Sequence, residues 1–162
     1  MTSARRSQTL PLRRLRITGL RCLSAVDCQL DPAQNYFYGP NGAGKTSLLE
    51  AVYLLGRGRS FRTRQTRRLI QHGREELTVF GELVAPDQKL TRIGVRVGGG
   101  TVAFRLDGSP VPGVMPVTER VRVEVIDPSI HRLIEGGPSE RRRYLDWGVF
   151  HVEPGYLATW RR

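Results

Sequence analysis

Gly39-Pro40-Asn41-Gly42-Ala43-Gly44-Lys45-Thr46 is the stretch whose reading decides the fold of this chain. It matches the pattern Gly-x-x-x-x-Gly-Lys-Ser/Thr in full. Glycines allow positive φ and a close approach of backbone to an anion. Successive N–H groups can then turn inward as an anion nest. A helix opening at Lys45 adds the partial positive charge of its N-terminus. Lys45 is expected to reach the β- and γ-phosphates of a nucleoside triphosphate, and Thr46 to offer its hydroxyl to Mg²⁺. The loop therefore reads as an ATP site made of Gly39, Pro40, Asn41, Gly42, Ala43, Gly44, Lys45 and Thr46, with Ser47 adjoining.

An ordinary glycine-rich turn is the competing reading, and the flanks decide against it. Upstream, Asn35-Tyr36-Phe37-Tyr38 is good strand material and runs straight into Gly39. Downstream, Leu48, Leu49, Val52 and Leu55 recur at helical spacing, and Gly56 and Gly58 end that helix. Hydrolysis asks for one part more, a carboxylate at the end of a buried strand. The nearest candidate is Val123-Glu124-Val125-Ile126-Asp127, where Glu124 interrupts the apolar run and Pro128 stands where a second acid is wanted. That segment is expected to be a different strand, and no catalytic residue is assigned.

Moving outward, residues 1–11 read as a disordered basic tail and 12–162 as the structured portion. Leu12 to Ile17 predicts an edge strand, and Ala25 to Leu30 a second one closed by Asp31-Pro32. Leu77 to Val84, then Ile93, Val95 and Val97, then Val102, Phe104 and Leu106, predict an antiparallel meander with turns at Gly98-Gly99-Gly100 and Asp107-Gly108. Val121, Val123 and Val125 predict a further strand. Pro138 near a first helical position predicts a helix through Trp147, and another helix is expected after Pro154. The fold class that follows is α/β.

Twenty-six Lys and Arg against fifteen Asp and Glu leave a formal charge of +11, which favours polyanionic partners. Lys45 and Lys89 are the only lysines, so a genome-wide preference for arginine explains the charge equally well. Cys22 and Cys28 stand outside any CxxC, and His72, His131 and His151 are isolated, so no metal-ligand spacing emerges. Neither a signal-peptide h-region nor about 18 consecutive apolar residues can be found, and a cytoplasmic location is expected.

The arginines Arg57, Arg59, Arg62, Arg64, Arg67 and Arg68 have no acid among them. They read either as a phosphate-contacting surface for DNA or as a solvated face partly paired with Glu75 and Glu76. Arg62, just after the helix, could instead sense the nucleotide. Arg141, Arg142 and Arg143 lie among Glu135, Glu140 and Asp146 and read as a charge-balanced helix face. Trp147, Phe150, Tyr156 and Trp160 read as packing aromatics ahead of base-stacking ones.

Several segments together resemble the RecF family of bacterial DNA replication and repair proteins, which belongs to the ATP-binding-cassette ATPases with SMC-type heads. Leu15-Arg16-Ile17-Thr18-Gly19-Leu20-Arg21 resembles that family's opening strand and turn, with Leu20 in place of the common aromatic. Gly39 to Tyr53 resembles its phosphate loop and first helix. More specific are Gly56-Arg57-Gly58-Arg59-Ser60-Phe61-Arg62-Thr63, Gly136 to Trp147, and His151 to Gly155. Asp127-Pro128-Ser129 departs from the family's usual Pro-Glu, which puts in doubt any role of the missing acid.

The resemblance implies an ATPase head of SMC type with ATP and Mg²⁺ bound between two heads, hence an ATP-dependent homodimer. By analogy with related heads it implies a nucleotide contact from Arg21. It also implies binding to single-stranded or gapped DNA, action with RecO and RecR in loading RecA, a link to SOS induction, and no membrane partner. RecF proteins are about twice as long, and their signature motif and Walker B acids lie in the later half, so the chain reads as an incomplete lobe. A small nucleotide kinase or a non-catalytic nucleotide-binding module are the rival readings.

Overall fold

The computed structural model describes residues 10–85, 87–126 and 137–153. The chain divides into two compact units, Thr9–Glu124 and a second made of Val125–Arg162 with Met1–Gln8. The expected tail before Leu10, the helix expected after Pro154 and the Asp127-Pro128-Ser129 turn lie outside the described residues.

The first unit is built on strands whose apolar residues alternate, so that one face can be buried. They are β1 (Leu12–Leu20), β2 (Leu23–Gln29), β3 (Glu76–Val84), β4 (Leu90–Gly98), β5 (Thr101–Leu106) and β6 (Ser109–Val111). They form one sheet in the order β2-β1-β3-β4-β5-β6, antiparallel throughout. The expected meander is present from β3 onward. β1 is not the edge strand expected; it pairs with β2 on one side and β3 on the other. Its buried Leu15 and Ile17 require neighbours on both sides, and β2, with no fully buried residue, takes the edge.

Leu15, Ile17, Leu77, Val79, Leu83, Ile93, Val95, Val97 and Phe104 make the buried face. Against it lies α1 (Lys45–Arg57) through Ala51, Leu54 and Leu55. The helix sits close because Gly81 has no side chain: a Cβ there would meet Leu55 Cδ2 at 2.4 Å and Leu12 Cδ1 at 2.8 Å. The expected apolar stripe is rotated. Leu49 is exposed, while Ser47 and Glu50 turn inward. α1 ends on Gly58 in the left-handed region, φ 65°, whose N–H bonds Leu54 O.

On the opposite sheet face arginines pair across strands. Arg14 and Arg16 share Asp27, Arg92 faces Glu82, and Arg96 faces Glu76. Arg16 also lies over the Phe80 ring, 5.7 Å from its centroid.

Two expected strands are absent. Tyr36 to Tyr38 forms no regular element and pairs with no strand among the described residues, and Tyr36 and Tyr38 are exposed. Strand propensity without a hydrogen-bonding neighbour does not make a strand. Val121 to Val125 is likewise irregular. Its alternation serves packing instead, since a Cβ on Gly56 of α1 would meet Val123 Cγ2 at 2.5 Å and Val121 Cγ1 at 3.2 Å. A short helix, α2 (Met115–Thr118), precedes it, and Thr118 Oγ1 donates to Gly56 O at 3.1 Å.

In the second unit α3 (Pro138–Val152) follows Gly137 with Pro138 at its first position, as the sequence predicts, and runs past Trp147. Leu145, Val149 and Val152 fall on one exposed stripe of it.

Candidate functional site

The phosphate loop takes the backbone its glycines permit. Gly39, Gly42 and Gly44 have φ of 146°, 85° and 94°, values that L side chains rarely adopt. Gly44 is the N-cap of α1 and makes no side-chain cap bond. The first helical hydrogen bond, Leu48 N–H to Gly44 O, measures 2.9 Å, so the N–H groups of Lys45, Thr46 and Ser47 have no partner within the helix. Space beside Gly42 is open, with nothing within 4 Å of a Cβ built there. Such a loop presents backbone donors and a helix dipole to an anion, which is what a polyphosphate needs. Thr46, exposed in the first turn, carries the hydroxyl suited to Mg²⁺.

Lys45 Nζ donates to Gly39 O at 2.7 Å and to Pro40 O at 2.8 Å. The ammonium is thereby tied to the first two carbonyls of the loop. The loop's base is equally defined. A Cβ on Gly44 would meet Leu23 Cδ2 at 2.6 Å and Cys22 Sγ at 3.2 Å. Cys22 Sγ lies 3.8 Å from Ser47 Oγ. The β1–β2 turn thus packs directly beneath the start of α1.

Arg21 occupies that turn in the left-handed region, φ 50°. Its N–H donates to Leu69 O at 2.8 Å. Its guanidinium does not point at solvent but grips Glu50 of α1 through Nε and Nη2, the latter at 2.9 Å. These hydrogen bonds to Glu50 raise the Arg21 pKa above its ordinary value against the opposing effect of burial. Glu50 is fully buried and also accepts a hydrogen bond from Ser60 Oγ. Both residues lie in segments that resemble the family, but the sequence assigns neither Glu50 nor Ser60 a role. The available signal was a carboxylate three residues after Ser47, on a face where Ala51 and Leu54 are apolar.

Of the arginines, Arg59, Arg62, Arg64, Arg67 and Arg68 are exposed and Arg57 is half-buried over the Tyr53 ring, 5.9 Å from its centroid. The segment is fixed rather than loose. Ser60 Oγ accepts the N–H groups of Arg62 and Thr63 at 2.9 and 3.0 Å, and Thr66–Leu69 forms a 3-10 turn anchored by buried Leu69. Glu76, offered by the sequence as a counter-charge, faces Arg96 instead. In Val123–Asp127, the segment nearest to a hydrolytic strand, Glu124 is exposed and belongs to no strand, and Asp127, the acid of that segment, lies outside the described residues. Among the described residues no group of three His, Cys, Asp or Glu could hold a metal ion, and no helix is long and apolar enough to cross a membrane.

Residues 11–95 match the family described as the RecF/RecN/SMC N-terminal domain. The chain is 43% identical over 154 residues to the DNA replication and repair protein RecF of Pseudomonas entomophila and to that of Azotobacter vinelandii, covering 94% of this chain and 42% of each relative. It therefore spans less than half the length of the curated relatives it matches. A structure of the recombination mediator protein RecF with ATP superposes with a TM-score of 0.78 at 26% identity, over 92% of this chain and 40% of that one. A second, RecF-ATPrS, gives 0.82 at 27% identity, over 94% and 42%. An SMC ATPase described for ATP-driven dimerization has a similar fold, with a TM-score of 0.70 at 19% identity, over 85% of this chain and 98% of that one.

Proposed function

The chain belongs to the RecF/RecN/SMC family, and from that premise we propose that it binds ATP with Mg²⁺ through Gly39–Thr46 and serves DNA repair and replication as RecF does. Its fold is a partial α/β ATPase lobe of the kind found in RecF and SMC heads. The observation that carries the ATP reading is the phosphate loop itself, three positive-φ glycines opening an uncapped helix under Lys45. Lys45 and the loop amides would hold the β- and γ-phosphates, and Thr46 would supply a hydroxyl to the metal, which neutralises phosphate charge when bound. The RecF structures of similar fold are described as RecF-ATP and RecF-ATPrS, which supports the same reading.

DNA is the partner that the exposed arginines at 59, 62, 64, 67 and 68 suit best, because phosphate contacts dominate such binding and need no base recognition. Single-stranded or gapped DNA, dimerisation on ATP, and action with RecO and RecR toward RecA loading and SOS induction are the fuller form of the same reading. The sequence offers no clear hydrolytic acid after an apolar strand, so turnover by this lobe alone is expected to be negligible.

Lys45→Ala tests the core of the proposal. Nucleotide affinity measured by fluorescence should fall to background in the variant, and unchanged affinity would sink the ATP reading. Oligonucleotide binding followed in parallel should weaken steeply from about 50 to 200 mM salt, and a flat response would remove the arginine surface.

A further inference from the structure

The phosphate loop and the arginine segment are separate in sequence, yet one buried carboxylate joins them. Glu50 is fully buried on α1, three residues beyond Ser47. Its Oε2 accepts from Arg21 Nε, and its Oε1 accepts from Arg21 Nη2 and from Ser60 Oγ. Ser60, itself buried, accepts in turn the backbone N–H groups of Arg62 and Thr63. The same Arg21 donates its backbone N–H to Leu69 O, at the far end of the segment. Both ends of residues 60–69 are thus referred to Glu50, and Glu50 rides on the helix whose first turn forms the phosphate loop.

A buried ion pair is seldom a device for stability, since well-packed apolar groups in its place often do as well or better. What the pair supplies here is position. We propose that Glu50 and Ser60 are positioning residues that couple the phosphate loop to the arginine segment, so that nucleotide held at one changes the grip on polyanion at the other. The proposal rests on the ATP and DNA readings of those two surfaces. Helix α1 transmits a shift of its first turn to Glu50 as a rigid rod, and Ser60 with the Arg62 and Thr63 amides follows the carboxylate. Such coupling is reciprocal: ATP must alter DNA affinity by the factor by which DNA alters ATP affinity.

Ser60→Ala removes the hydroxyl and Ser60→Thr keeps it. In the full chain, ATP should change the affinity for a single-stranded oligonucleotide by at least about fivefold, the low end of usual couplings. Ser60→Ala should bring that factor near one while ATP affinity without DNA stays within about twofold, and Ser60→Thr should restore it. A factor kept in Ser60→Ala, or lost equally in Ser60→Thr, overturns the proposal. Hydrogen exchange on the unmodified chain gives an independent measure that needs no variant and no DNA. ATP should slow or hasten exchange of the Arg62 and Thr63 amides; ATP bound with no change there overturns the coupling alone. Absence of ATP binding in the unmodified chain would instead sink the functional reading itself.

Discussion

Replacing Gly44 with alanine puts a number on how firmly the phosphate loop is seated on the β1–β2 turn. Two separate penalties act at this position. Its φ of 94° is left-handed, which costs an L residue about 1–2 kcal/mol. The added Cβ would also lie 2.6 Å from Leu23 Cδ2 and 3.2 Å from Cys22 Sγ, the first about 1 Å inside ordinary carbon contact. Relieving such overpacking typically takes about 1–3 kcal/mol. The sum is about 2–5 kcal/mol of lost stability, a large share of what a domain of this size possesses. Gly42→Ala is the matched control: its φ is 85°, but nothing lies within 4 Å of the new Cβ, so only the backbone penalty of about 1–2 kcal/mol applies. Urea unfolding at constant m-value reads both. Adding Leu23→Ala should recover the steric part in Gly44→Ala and nothing in Gly42→Ala, a coupling that a double-mutant cycle isolates. Equal destabilisation of the two glycine variants, or no recovery with Leu23→Ala, would refute the packing of the loop's base described above. ATP affinity supplies a second contrast, because Gly42 lines the open side of the loop. Gly42→Ala should weaken nucleotide binding in a protein that remains folded.

Asp27 carries a pH prediction. Hydrogen bonds from Arg14, then from Arg16, hold its carboxyl at about 2, below the usual carboxylate range. A folded-state value depressed in this way contributes stability that is complete above the unfolded value near pH 4 and is lost as pH falls toward 2. Thermal unfolding between pH 5 and 2 should therefore drop less steeply in Asp27→Asn, and an unchanged acid limb would remove the assignment. Gly81→Ala addresses the helix–sheet contact: Leu55 Cδ2 at 2.4 Å and Leu12 Cδ1 at 2.8 Å from the new Cβ predict about 1–3 kcal/mol of destabilisation in urea, with ATP affinity of the folded fraction unaltered.

Much of this protein was legible without coordinates because its signals are local. Gly39, Gly42, Gly44 and Lys45 announce a phosphate loop, since only glycine takes those backbone angles without strain. The alternation of Val95 and Val97 with Val102 and Phe104, around Gly99-Gly100, specifies a hairpin because period-two burial and turn chemistry agree. Gly58 ends α1 where left-handed φ is required.

What only the tertiary structure decided are questions of partnership. Tyr36-Phe37-Tyr38 has strand propensity but no neighbour to pair with among the described residues, and Val121 and Val123 alternate to pack on Gly56 rather than to join a sheet. β1 reads as an edge strand until β2 and β3 are seen on either side of it. Glu50 carries no assigned role in the sequence, and only the fold brings Arg21, 29 residues away, and Ser60, ten residues away, onto it. Propensity and periodicity are properties of a few neighbouring residues. Pairing, burial of a charge and the joining of loop to arginine segment depend on residues far apart in the chain, and these meet only once the core of Leu15, Leu54 and Val79 has closed.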